Sequence, residues 1–244
     1  MAHEKIQGFV LNNLKHNDRH NIVTLFTRTR GRITFLSPNG KGRSAKMRNA
    51  RLMPMSLIES DVNFRENQDL HFLGAVTPIE IWHEVYFNPV KSAIVYFISD
   101  FLNRYFRDSQ PDETAWKFIL ASIRILDEST EGMANFHIWF LIKFLNIAGI
   151  TPDFSNYQQG DVFDMRAGLP VLPTQLHSDI IGIDQTAKIP ILLRISSKNY
   201  HKFKFTSSQR REILNNILKY YSIHFPGVGN LKSFEILMEI FTSK

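Results

Sequence analysis

The hydrophobic period of this chain changes once, near residue 78, and that change limits what the chain can build. Before it, apolar residues fall in short β-branched and aromatic runs with no helical repeat: Ile6–Leu11, Ile22–Phe26, Arg32–Leu36, Met53–Ile58 and Leu70–Val76. In Arg32–Leu36, Ile33 and Phe35 share one face while Arg32 and Thr34 take the other, the alternation of a half-buried strand. Five strands in about 75 residues, separated by polar turns such as Lys15–His20, specify a small barrel or sandwich. Strand arithmetic by itself does not separate an oligonucleotide-binding (OB) barrel from an SH3-like one.

From Ile79 the repeat is three and four residues. Ala93, Ile94, Phe97, Ile98, Phe101, Leu102 and Tyr105 make one apolar stripe, with Pro89 ahead of it where helices begin. Asp112 is placed to cap a second helix, whose stripe is Ala115, Trp116, Ile119, Leu120, Ile123 and Leu126. Asn135–Ala148 is apolar on nearly every side, as the buried centre of a bundle is, and Gly149 stops it. Thr151–Pro190 loses the helical stripe and reads as a long irregular insert with small structure of its own. Arg210–His224 is helical again, and a short last helix turns Leu231, Phe234, Leu237, Met238 and Phe241 inward. The expected fold is therefore α+β and multi-domain: a β-barrel over residues 1–77, then an α-helical bundle over 78–244 carrying the insert at about 150–190.

With 43% apolar and 21% charged residues the chain has the composition of a packed protein, not a disordered one. It contains no Cys, which excludes disulfides and thiolate metal sites. The N-terminus lacks the features of a signal peptide. The longest apolar stretch, Ile138–Ala148, is broken by Lys143 and Asn146 and falls short of the roughly 20 residues a bilayer requires. A cytoplasmic protein is the expectation. Charge is unevenly spread. Residues 1–60 hold eleven Lys and Arg against three Asp and Glu, a balance of +8, whereas the remainder hold eighteen against twenty. Such one-sided basicity suits a polyanion partner.

The strongest local signal is the run Arg28, Arg30, Arg32, Lys41, Arg43, Lys46, Arg48 and Arg51, uninterrupted by any acidic residue. Pro38–Gly42 in its middle reads as a mobile turn, so that the run resembles a cationic loop beside a β surface, an arrangement that tracks phosphates. The plainer alternative is a solvated loop. Gly40, Lys41, Gly42 and Ser44 have the composition of a phosphate-cradling loop, but G-x-x-x-x-G-K-[ST] is absent and Met53–Ile58 reads as another strand with no helix before it. His16 and His20 lie on a turn, His137 belongs to the buried helix, and His83–Glu84 and His177–Asp179 are isolated pairs. The loose acidic group Asp161, Asp164, Asp179 and Asp184 lies in the insert, where Asp is common as a turn residue. No G-x-S-x-G occurs.

Several segments together resemble the bacterial RecO recombination mediators: Gly8–Leu11, Ile22–Thr27, Gly31-Arg32, the Lys41–Lys46 loop, Pro54–Glu59, Leu145–Pro152, and Tyr221–Gly227 followed by Leu231–Ser233. The resemblance spans nearly the whole chain. It implies an N-terminal OB-fold and a C-terminal helical domain acting without catalysis. Such proteins bind single- and double-stranded DNA, anneal complementary strands and, with RecR, help load recombinase onto strands coated by single-strand-binding protein; RecF is a further partner candidate, and the nucleoid the place of action. Many members carry a four-Cys zinc site in the insert. The matching region here, Asp153–Pro173, has no Cys, so the insert is expected to be zinc-finger-like in shape without metal or any other cofactor, packed around Phe154, Tyr157, Phe163 and Leu169.

Two other readings share parts of this pattern: an RNA-binding OB protein, which uses the same barrel physics, and a metal-dependent nuclease built on the insert carboxylates. The non-catalytic reading predicts that labelled strands incubated with magnesium or manganese stay intact. Cleavage that disappears on mutating Asp161 or Asp164 would reverse it.

Overall fold

The computed structural model describes residues 2–64, 70–107, 109–174, 177–229 and 231–242. Five strands, β1 (Ala2–Lys15), β2 (His20–Thr27), β3 (Gly31–Pro38), β4 (Leu57–Phe64) and β5 (His71–Pro78), close into a barrel in the order β1-β2-β3-β5-β4. This is the OB arrangement, so the ambiguity with an SH3-like barrel is resolved. Ile6, Val10, Val23, Leu25, Phe35, Ile58, Val62, Leu73 and Val76 fill the interior, from alternate positions along β1 to β4 and across an irregularity in the β4–β5 pairing on β5. Met53–Ile58 is not one strand. Met55 takes a left-handed φ of 62°, and β4 begins only at Leu57. The turn is fixed because Met55 donates its N–H to the Val10 carbonyl and accepts the Trp82 indole N–H at 3.0 Å.

The segment expected to be a loop also differs. Residues Arg43–Arg51 form a helix, α1, following Gly42. Ala, Lys, Met and Arg are all good helix formers, but α1 has no apolar stripe, so periodicity does not reveal it. Its inner face is polar. Arg48 donates to the Ser37 hydroxyl at 2.8 Å, the Leu73 carbonyl at 2.7 Å and the Gly74 carbonyl, while Arg51, one turn on, donates to the Val76 carbonyl at 2.8 Å. A strand–loop–helix context therefore does follow β3, although the glycine and lysine spacing of a phosphate-cradling loop is missing from it.

Those arginines brace the shortest ladder of the barrel. β3 and β5 pair in parallel through only Phe35↔His71 and Leu36↔Phe72, whereas β2 and β3 pair along their whole length. Arg48 spans that seam from Ser37 on β3 to Leu73 and Gly74 on β5. Gly74 leaves no room for a side chain, because a Cβ there would lie 2.3 Å from the Asp61 carbonyl oxygen at a β4–β5 irregularity.

Two compact units divide the chain, residues 1–128 with 231–237 and residues 129–230 with 238–244. In the first, α2 (Pro89–Tyr105) and α3 (Glu113–Glu128) cover one outer side of the barrel. Phe26 stacks on Phe106 at 3.9 Å and Phe9 tilts against Trp116 at 4.7 Å. Asn88 caps α2 through the Val90 and Lys91 N–H groups, and Asp112 caps α3 through Ala115. Gly31, with φ 66°, lies so close to the Ser109 carbonyl that only glycine fits.

The second unit is built on α4 (Phe136–Ile147), buried on almost all sides. The insert forms a three-stranded sheet of β6 (Val162–Asp164), β7 (Leu169–Val171) and β8 (Ile180–Ile181), then two short helices, α5 (Ile183–Thr186) and α6 (Ile189–Leu193). A capping box of Thr206 and Gln209 starts α7 (Ser207–His224), and α8 (Ser233–Thr242) ends the fold. His137 is wholly buried on α4; burial, aided by Arg210, pushes its pKa down to about 3, so the ring is neutral.

Removing Arg48 strips the donors from two strand carbonyls at a half-buried seam. Arg48→Ala is expected to lower unfolding free energy by about 2–3 kcal/mol in urea titration. A loss under about 0.5 kcal/mol would show that strand pairing holds the seam unaided.

Candidate nucleic-acid interface

The eight candidate cations do not form one cluster. They divide according to which end of β3 they occupy. The β2–β3 register runs from Thr27↔Gly31 at the hairpin turn to His20↔Pro38 at the far end, a span of about 23 Å for seven strand steps.

At the turn end, Arg28 donates to both carboxylate oxygens of Glu113, at 2.9 and 2.7 Å. Its hydrogen bond holds the Glu113 carboxyl below the usual range, with Lys117 adding to the effect. Arg30 donates to Glu4 at 2.8 Å and lies 4.2 Å over the Phe64 ring. Arg32 donates to the Asn103 side-chain oxygen at 3.2 Å. Much of the charge at this end is matched locally.

The Pro38 end is different. Lys41 precedes α1, and Arg43 and Lys46 project from its outer face. All three are exposed, and among the described residues none makes an ion pair. The β1–β2 turn lies beside them, since Asn39 donates its N–H to the Arg19 carbonyl at 2.7 Å. Arg19 is thereby a fourth exposed cation at this end; Lys15 is engaged with Asp18 at 2.9 Å. Arg19 is absent from the set read from sequence. Two successive antiparallel hairpins bring the first turn to the end of the third strand, and that register was the available signal. Arg48 and Arg51 turn inward to the barrel carbonyls. Burial works against the Arg48 charge and lowers its pKa, and its three acceptors offset that cost.

The insert carboxylates do not converge. Asp161 accepts the Gln158 N–H at 2.8 Å. Asp164 accepts the Arg166 and Ala167 N–H groups and faces His177 at 3.3 Å. Asp179 joins Arg166 and Lys219 at 2.8 and 3.0 Å. Among the described residues no group of three or more His, Cys, Asp or Glu side chains could hold a metal ion. The donor set does not fit zinc: the chain has no thiolate, and these carboxylates are already occupied by N–H groups and cations. Phe154 packs on Tyr157 and Phe163, and Phe163 on Tyr220, at 5.5–5.6 Å. Leu169, expected in that cluster, is 40% exposed because it starts the outer strand of the small sheet.

Two family models match the chain, Recombination protein O N terminal over residues 1–82 and Recombination protein O C terminal over residues 86–157. The chain is 32% identical over 239 residues to the DNA repair protein RecO of Bacteroides fragilis, covering 98% of this chain and 99% of that protein. It is 30% identical to the protein of the same name from Phocaeicola vulgatus and 25% identical to that of Flavobacterium psychrophilum, with 98% and 99% covered in both cases.

Burial opposes the Asp164 charge, but hydrogen bonds from Ala167, Arg166 and His177 outweigh it and hold the pKa below the usual carboxylate range. Asp164→Ala is expected to cost about 1–3 kcal/mol near pH 7. Because the folded pKa is depressed, the gap from the parent protein closes as pH falls from roughly 3.9 through that lower value. Thermal melts at several pH values measure this, and a chelator leaves the parent midpoint in place. A midpoint lowered by chelator would point to a bound metal.

Proposed function

The chain belongs to the RecO family of DNA repair proteins, and from that premise we propose that its barrel binds single- and double-stranded DNA as a non-catalytic recombination mediator. The observation that carries this reading is the uncompensated cation group Lys41, Arg43 and Lys46, with Arg19 beside it. Lys and Arg exchange condensed counterions for direct phosphate contact, the sequence-independent source of most nucleic-acid affinity. Arg28, Arg30 and Arg32 complete the proposed track at the other end of β3. Their carboxylate and amide partners hold them in place and reduce what each adds to the field. Arg48 and Arg51 serve the track by fixing α1 to the barrel.

Annealing follows from the same chemistry. Once phosphates on two complementary strands are neutralised, their approach is no longer opposed, and base pairing supplies the remaining free energy. In the family setting this activity is coupled to RecR and to strands coated by single-strand-binding protein, onto which recombinase is loaded. RecF is a further candidate partner, and the cytoplasmic nucleoid is the place of action. Among the described residues no helix is long and apolar enough to cross a membrane.

For about five phosphate contacts, log affinity for a single strand should fall against log salt with a slope of roughly −3 to −4. Replacing Lys41, Arg43 and Lys46 together by Ala should flatten that slope by about 2, at roughly 0.7 per contact. The pair Arg28→Ala and Arg30→Ala should flatten it less per residue. A salt-independent parent protein, or a triple variant with the parent slope, would reject the site.

A further inference from the structure

We propose that a row of apolar and aromatic side chains across the outside of the barrel is a stacking platform for unpaired bases, through which the protein prefers single strands to duplex. The proposal rests on the cation track above and adds to it a surface that reads bases.

Strand register defines the row. Leu14 on β1 pairs with Ile22 on β2, Ile22 with Leu36 on β3, and Leu36 with Phe72 on β5. Register partners project to the same face of a sheet. The alternate residues Val23, Phe35 and Leu73 lie in the barrel core, so Ile22, Leu36 and Phe72 point outward. Leu14 is 58% exposed and Phe72 55% exposed, with Ile22 and Leu36 half-buried between them. The His20 ring meets Phe72 edge-on at 5.4 Å and steadies it. The outward face of a strand normally carries polar residues. Four apolar ones in line, the outer two more than half exposed while Phe26 further along β2 is packed beneath Phe106 and Trp116, form an apolar strip.

Charge identifies the occupant. Leu36 lies two residues, about 7 Å, from Pro38, where the loop bearing Lys41 and leading to Arg43 begins. Arg19 adjoins the same end. An apolar strip bordered by exposed cations with no carboxylate partner among the described residues suits a polymer that is anionic along one edge and flat and apolar along the other. An unpaired nucleic-acid strand has that character. Its phosphates meet the cations while its bases lie on Phe72 and the aliphatic row. A duplex offers the same phosphates, but its base faces are consumed in its own stack. An apolar protein partner would gain nothing from the cationic border.

The test compares oligo(dT) with a duplex of equal length at fixed salt, using the full chain. Phe72→Ala should weaken oligo(dT) binding roughly tenfold, the scale of one lost stacked base, with duplex affinity and the salt slope unchanged. Phe72→Trp should retain affinity, and its fluorescence should be quenched by oligo(dT) and not by duplex. Leu14→Ala gives a second, milder loss confined to the single strand. Parent-like thermal midpoints for these exposed positions confirm folding. If Phe72→Ala leaves both affinities unchanged, or weakens both equally, the platform is refuted. The cation reading is then judged separately by the Lys41, Arg43 and Lys46 variant, whose loss falls on both nucleic acids and on the salt slope.

Discussion

A five-stranded barrel closes only where its third and fifth strands meet, and here that meeting consists of two register pairs. A seam so short leaves carbonyls of β5 without ladder partners. One guanidinium meets that need by donating to Leu73 and Gly74 on β5 and to Ser37 on β3. Arginine suits the task because its planar fork offers several donors in fixed directions. The position of α1 and the presentation of its outer face depend on this fastening. So does the alignment of Leu36 with Phe72.

The helix is consequently two-sided in an unusual sense. Its inward residues, Arg48 and Arg51, are cationic but satisfied by carbonyl oxygens, and its outward residues Arg43 and Lys46 are cationic and exposed. Residue type alone does not distinguish a structural arginine from a ligand-seeking one; helical phase singles out Arg48, which lies roughly opposite Arg43 and Lys46, while Arg51 ends the helix and turns to the Val76 carbonyl. Any ligand held by the outer face engages the element that secures the seam. Binding to the folded state alone stabilises that state by mass action, so occupancy and barrel closure are thermodynamically linked.

Much of this was legible in the residues. Alternation in Arg32–Leu36 and the three-four stripe of Ala93–Tyr105 each give the right element, because burial of one face governs both. Asp112 was readable as a cap because a side-chain oxygen at a helix start has a defined role. The helix at Arg43–Arg51 was hidden because its inner face is held by hydrogen bonds, which leave no hydrophobic period. The Met53–Ser56 turn was hidden because its cause, a carbonyl bonded to Trp82, lies 27 residues away. The basic character of the candidate site was visible, but its division between the two ends of β3 was not. Strand register brings Arg30 to Glu4, and the packing of α3 on the barrel brings Glu113 to Arg28.

The insert is fastened by carboxylates, a guanidinium, an ammonium and stacked rings, in a chain with no sulfhydryl group. Thiolate clusters fail when peroxide or related oxidants attack sulfur, and such oxidants also break DNA. Carboxylate–guanidinium pairs and phenyl rings are not attacked in that way. The contacts that fasten this part of the fold therefore involve no thiol chemistry and answer to acidity and ionic strength.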